Sequence, residues 1–314
     1  MPSKVVCVVG PTACGKTTLG VMLAEKFDGE IISADSMQIY RGMEIGTAAP
    51  AVEEMRGVPH YMVGVADPRE NYSAAQFVAE ASKYVDDILS RGKLPIIVGG
   101  TGLYLDALVA GTDFAGGSAG GKWRGALQER LAGEGVAALY AELSRIDETA
   151  AAKIQPTDAK RVMRALEMFY ETGKTKTEHD EETRKHPPRY DAVYIGLAFS
   201  DREDMKKLID ARVDKMMAEG LLSEVRALVS SGVSRDATAL QAIGYKELLP
   251  ALSGECTPEA AAAEIKLRSR QYAKRQLTWL RRNKNIHWIL WEHWRDFDSA
   301  LRLSTDILTA EGLG

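Results

Sequence analysis

The sequence predicts an α/β fold: a parallel sheet core, interrupted by an inserted helical domain and completed by a helical C-terminal part. Three observations predict it. Apolar runs of strand length alternate with segments of helical periodicity up to residue 112, the pattern of strands joined by helical crossovers. A turn bearing two glycines, Gly10-Pro-Thr-Ala-Cys-Gly-Lys-Thr17, separates the first strand from the first helix. Residues 123–171 then show helical spacing only, before strand character returns near residue 193. The turn has the spacing of a phosphate-binding P-loop, so the core is expected to be P-loop NTPase-like.

Taken in order, residues 4–9 read as a buried strand and 17–27 as the helix after the turn. A second strand over 30–34 stops at Asp35. Ser73 and Gln76 make a capping box for a helix reaching residue 90. Residues 94–98 form the next strand, which runs into Gly99-Gly100-Thr101-Gly102 and a short helix. Gly111, Gly116, Gly117, Gly120 and Gly121 mark a flexible joint, which sets expected domains at 1–112, 113–189 and 190–314. The charged stretch 171–189, with Pro187-Pro188, reads as turn-rich. A strand over 193–198, three or four helices, a short strand over 287–290 and a terminal helix complete the chain.

The chain has 314 residues, 45% hydrophobic and 27% charged, which excludes disordered and disulfide-rich classes. Cys7, Cys14 and Cys256 fit no zinc spacing. No apolar run has the length of a membrane span, so a cytoplasmic protein away from the membrane is expected, working as a monomer. A net charge of −4 argues against a generic nucleic-acid coat. Locally the balance reverses: residues 264–287 carry eight basic side chains against one acidic.

In a P-loop, backbone N–H groups cradle phosphate oxygens, the lysine neutralises them and the hydroxyl after it reaches Mg²⁺. Gly10, Thr12, Ala13, Cys14, Gly15, Lys16, Thr17 and Thr18 are therefore the expected phosphate set, with Thr17 on the metal. Cys14, at a helix N-terminus beside Lys16, is a candidate for an acidic thiol. The strand over 94–98 ends in glycine where such folds usually place an acid, whereas Asp35 ends the strand over 30–34 at the same mouth. Asp35 is thus a candidate base or metal ligand; the plainer alternative is a turn cap with Ser36.

Arg212 falls inside an apolar stripe of Met205, Ile209, Val213 and Met216. A guanidinium there needs an anion, either a bound phosphate or a core carboxylate. On the helix over 264–282, Ile265, Tyr272, Gln276, Leu277, Trp279 and Leu280 share one face. Lys266, Arg270, Lys274 and Arg281 line one flank and Arg268, Arg275 and Arg282 the other, as rails along a nucleic-acid backbone or as a solvated face. From these residues alone, a small-molecule kinase using ATP and a phosphate-dependent RNA-binding switch both stay open.

The segments GPTACGKT, DSMQIYRGMEIGTA, GGTGLYLDAL, DAKRVMRALE, ALQAIGYKEL and RQYAKRQLTWLRR closely resemble the signatures of bacterial tRNA dimethylallyltransferases, across most of residues 4–283. The resemblance implies transfer of a dimethylallyl group from its diphosphate to the adenosine 3′ of the anticodon, with the inserted helices clasping the anticodon stem-loop. It implies Asp35 as receiver of the amine proton, Lys16 and Arg212 as diphosphate clamps, and Thr101 as a substrate contact. Ser36, Met37 and Gln38 would face the target nucleotide. Arg124, Ala159, Lys160, Arg161, Val162, Met163, Arg164, Gln241, Tyr245, Lys246, Arg268, Tyr272 and Arg275 would meet tRNA. Ala49 stands where a lysine is common, Tyr61 where a second histidine is frequent, and the Gly-rich 116–121 segment where the family has a more ordered loop.

Overall fold

Strand β1 (Ser3–Val9) is flanked on both sides by parallel partners, and everything at the site follows from its position. The computed structural model describes residues 3–112, 114 and 122–313, apart from the Arg184 side chain. With β2 (Gly29–Ser33), β3 (His60–Tyr61), β4 (Leu94–Gly99), β5 (Tyr190–Phe199) and β6 (Ile286–Trp291), β1 forms a six-stranded sheet in the order β3-β2-β4-β1-β5-β6, every pairing parallel. Val9 registers with Gly99 of β4 and Gly196 of β5, so the loop after β1 emerges between two neighbouring strand ends. That is the ligand position of open α/β sheets.

Near-continuous apolar runs give these strands because helices cover both faces of a parallel sheet. Val6, Val8, Ile31, Ile96, Ile195 and Leu197 are all buried in one core with Leu19 and Leu23 of the helix Lys16–Lys26. Each such side chain contributes about 1.5–3 kcal/mol by leaving water. The Ser73 capping box forms as the sequence predicts: Ser73 Oγ accepts from Gln76 N at 3.2 Å and Gln76 Oε1 accepts from Ser73 N at 2.9 Å, opening the helix Ala74–Ser90. Strand β3 is not anticipated, because two residues carry no readable periodicity.

Two compact units divide the chain: Met1–Val109 with Arg189–Gly314, and Ala110–Pro188. In the second, the helices Lys122–Ile146 and Ala159–Thr172 share a core of Leu127, Leu139, Leu143, Val162 and Leu166. Gly135, at φ 78°, breaks the longer helix. The stretch expected as turn-rich contains a further helix, Lys176–Lys185. It has no apolar stripe to announce it; a Thr175–Glu178 capping box, a Lys176–Asp180 ion pair at 2.5 Å and the Thr177 hydroxyl donating to Asp147 at 2.6 Å hold it instead. The Gly-rich joint expected at 116–121 lies outside the described residues. Among the described residues no helix is long and apolar enough to cross a membrane.

Candidate functional site

The loop after β1 turns on backbone that few residues adopt. Gly10 has φ 155°, and a Cβ there would stand 2.3 Å from Leu197 O and 2.7 Å from Cys14 Sγ. Ala13 (φ 65°) and Gly15 (φ 90°) are left-handed, the backbone that tight anion-binding loops use, before the helix Lys16–Lys26 begins. Lys16 Nζ donates to Pro11 O at 2.7 Å, folding the ammonium back across the loop. Thr17 is half-buried and Thr18 exposed.

Two expectations about this loop need correcting. Cys14 does not have an acidic thiol: it is fully buried, its Sγ donates to Pro11 O at 2.9 Å, and burial raises its pKa more than Lys16 lowers it. The Thr12 N–H is not aimed at a ligand, since it donates to Gln276 Oε1 at 2.9 Å. Gln276 in turn donates to Gly100 O at 3.0 Å, so one buried amide ties the loop to the end of β4. Trp291 Nε1 fastens the other side by donating to Cys14 O at 2.9 Å.

Asp35 leaves β2 at the same mouth. Its Oδ1 accepts from Met37 N (2.9 Å) and Gln38 N (3.4 Å), so the turn-capping role is real. Oδ2 accepts no hydrogen bond among the described residues. Thr101 Oγ1 accepts from Ser36 N at 3.1 Å, joining this turn to the start of the helix Gly102–Ala110. Gln38 faces inward, against expectation: its amide donates to Thr47 O (3.3 Å) and Ala48 O (3.2 Å) and accepts from Ser33 Oγ (2.9 Å), which leaves it a tie between loops. Gly99 explains why β4 ends without an acid, because a Cβ there would lie 2.3 Å from Ala34 O.

Met205, Ile209, Val213 and Met216 are buried along the helix Arg202–Ala218, and Arg212 beside them turns toward the loop. Its Nη2 donates to Thr47 O at 3.2 Å, and among the described residues no carboxylate pairs with it. Burial holds its pKa below the ordinary arginine value, with the Asp35 charge opposing. Thr47 is itself fixed by Glu224, whose carboxylate accepts from Ile45 N (2.8 Å), Gly46 N (3.0 Å) and Tyr245 OH (2.6 Å). Tyr245 is therefore not an RNA contact: its ring is fully buried against Gly46. No sequence period announces this clamp, since Glu224 and its amide partners lie far apart in the chain.

Several of these groups line one cavity of about 340 Å³, to which Lys16 and Thr101 do not contribute. Thr12, Asp35, Ser36, Met37, Arg212, Gln241, Tyr272 and Arg275 are among the residues that line it. Burial and the Asp35 charge push the Tyr272 phenol up to about 12, so it is neutral at pH 7. Arg275 stacks 5.6 Å over the Tyr272 ring and Arg282 5.1 Å over Trp279. Gln241 and Lys246 are exposed.

The two expected rails differ. Arg270 is held by Asp210 at 2.7 Å and Lys266 by Asp214 at 2.6 Å, both from the helix Arg202–Ala218, so half of that flank joins helices and leaves Lys274 and Arg281 exposed. On the other flank Arg268 pairs with Glu264 at 2.6 Å, and Arg275 and Arg282 have no carboxylate among the described residues.

In the helical unit, Arg164 (2.9 Å) and Arg124 (3.7 Å) converge on the buried Glu167, and Arg161 pairs with Asp158. Lys160 is exposed, while Ala159 and Met163 are half-buried. Val162 cannot meet RNA there, being fully buried in the helical core.

Two family models match the chain, one described as IPP transferase over residues 38–283 and one as isopentenyl transferase over residues 3–67. A tRNA dimethylallyltransferase of Halalkalibacterium halodurans is 47% identical over 291 residues, 92% of this chain and 91% of that one. Among solved structures, the full-length tRNA isopentenylpyrophosphate transferase of Bacillus halodurans is 40% identical, with a TM-score of 0.73 and coverage of 99% and 98%. A eukaryotic dimethylallyltransferase solved acting on tRNA is 31% identical with a TM-score of 0.85, covering 98% of this chain and 79% of that one.

Proposed function

The chain belongs to the tRNA dimethylallyltransferase family, and from that membership we propose that it moves a dimethylallyl group from dimethylallyl diphosphate to the exocyclic amine of the adenosine 3′-adjacent to the anticodon, releasing diphosphate. The observation that carries the reading is one cavity that Asp35 and Arg212 both line, beside a P-loop and a helix presenting Tyr272 and Arg275.

An adenine amine is a weak nucleophile, because its lone pair is delocalised into the ring. The reaction therefore depends on the electrophile. As the allylic carbon–oxygen bond breaks, negative charge grows on the leaving diphosphate, and Lys16, Arg212 and the loop amides stabilise it where it grows. The amine nitrogen then bonds to carbon, becomes acidic and passes its proton to Asp35, whose Oδ1 is pinned by two backbone amides. A carboxylate of ordinary basicity suffices, since the proton leaves only as the new bond forms. Met37 and Tyr272 offer the extruded base an apolar and an aromatic surface, which offsets a stacking loss of roughly a few kcal/mol.

The residues also fit Mg²⁺. One hydroxyl, Thr17, in the first turn of its helix, with no cluster of three metal-ligating side chains among the described residues, is the donor set of an ion held chiefly by substrate phosphates. When bound there, Mg²⁺ neutralises charge on the leaving diphosphate. We further propose a monomer working in the cytoplasm.

The test is prenyl transfer from labelled dimethylallyl diphosphate to tRNA with nucleotides removed, followed by mass analysis of the nucleosides. Isopentenyladenosine formed without ATP is expected. Strict dependence on ATP, with phosphate released from it, would replace this reading with a kinase.

A further inference from the structure

Past β6 the chain runs through residues 292–296 into the helix Phe297–Ala310, and this turn is fastened beside the phosphate loop at several points. Besides the Trp291–Cys14 bond, Ser200 N and Oγ both donate to Trp291 O, at 2.9 and 3.1 Å. His293 Nδ1 lies 3.2 Å from Asp204 Oδ2, and Asp296 caps the helix by accepting from Ser299 N at 3.0 Å. A Cβ built on Gly15 would stand 2.8 Å from the Phe297 ring and 3.3 Å from Arg295 Cδ, so these two side chains cross the bare face of the loop glycine.

The Arg295 guanidinium sits 5.9 Å over the Phe297 ring, is exposed, and pairs with no carboxylate among the described residues. Its charge is felt at Arg212, where burial is the main cause of the lowered pKa, Asp35 opposes it and Arg295 adds to it. Arg212 lines a cavity with Thr12 and the Arg295 stem lies against Gly15, and two like charges near one loop repel each other unless an anion lies between them. A diphosphate carries that charge, and a forked guanidinium matches its oxygens in pairs.

We infer that Arg295 is a diphosphate-binding residue, a third cation beside Lys16 and Arg212, delivered to the donor's leaving group by the turn after β6. The inference rests on the proposed reading of the P-loop as a diphosphate site.

Calorimetric titration of inorganic pyrophosphate with Mg²⁺ into wild type, Arg295→Ala and Arg295→Lys separates the two ideas, with tRNA binding measured in parallel. Arg295→Ala should weaken pyrophosphate about tenfold or more and raise KM for dimethylallyl diphosphate, Arg295→Lys should recover part of the loss, and tRNA affinity should not move. Equal pyrophosphate affinity in wild type and Arg295→Ala overturns the inference while leaving the transferase reading intact. A wild type that binds no pyrophosphate overturns the diphosphate reading and this inference with it. Weaker tRNA binding with unchanged pyrophosphate affinity assigns Arg295 to RNA and overturns it as well.

Discussion

Asp35 holds its own turn with one oxygen and leaves the other free for the role proposed for it. Oδ1 spends its lone pairs on the amides of Met37 and Gln38, which fixes where Oδ2 can be. Asp35→Asn preserves an acceptor for those amides and removes the proposed proton acceptor. Single-turnover prenylation with saturating tRNA should therefore fall by about 10²–10⁴, with pyrophosphate affinity little changed. A chemical step within about threefold of wild type would take Asp35 out of the mechanism. Arg212 and Asp35 were both legible in the sequence, one as a charge inside an apolar stripe and the other as an acid ending a strand. Gln276 and Arg295 were not. Their partners on the phosphate loop lie more than two hundred positions away in the chain, and no local period marks a contact of that range.

At the scale of elements, β2 delivers Asp35 at one end and holds an anchor at the other. Glu30 is buried and accepts from Arg91 Nη1 (2.5 Å) and Nη2 (2.7 Å) and from Tyr61 OH (2.8 Å), which gives Tyr61 a role in joining β3 to β2. The Arg91 hydrogen bonds, against an opposing effect of burial, lower the Glu30 pKa from 4.5 to about 2. Because the folded value is the lower one, the group stabilises the fold fully above pH 4.5 and loses that contribution as pH falls toward about 2. Thermal melts in steps from pH 6 down to about 2.5 should show a shallower loss of stability in Glu30→Gln than in wild type, on a lower starting value at neutral pH. Parallel slopes would mean that Glu30 titrates alike folded and unfolded. Strands such as β1 and β4 were readable because burial on both faces demands unbroken apolar runs. The helix Lys176–Lys185 was not, since caps and ion pairs hold it rather than an apolar face.

Across the whole molecule, an overall charge of −4 coexists with the dense basic run around the helix Pro258–Leu280. Lys266 and Arg270 are drawn into pairs with Asp214 and Asp210, which leaves Arg275 and Arg282, stacked on Tyr272 and Trp279, as the better candidates for phosphate contacts. Arg275→Ala with Arg282→Ala should flatten the dependence of log K for tRNA on log salt by about 1–2 units, since each phosphate contact releases counterions. A slope equal to wild type would place the RNA backbone elsewhere. Lys266→Ala, by contrast, should disturb helix packing more than salt dependence.

Gly99 carries a consequence for descent. Where related sheets can place an acid after the last apolar residue of the strand, the space here is occupied by the backbone of Ala34, 2.3 Å from where a side chain would begin. No single codon change can restore that acid without pushing two adjoining strand ends apart, and one of those ends delivers Asp35.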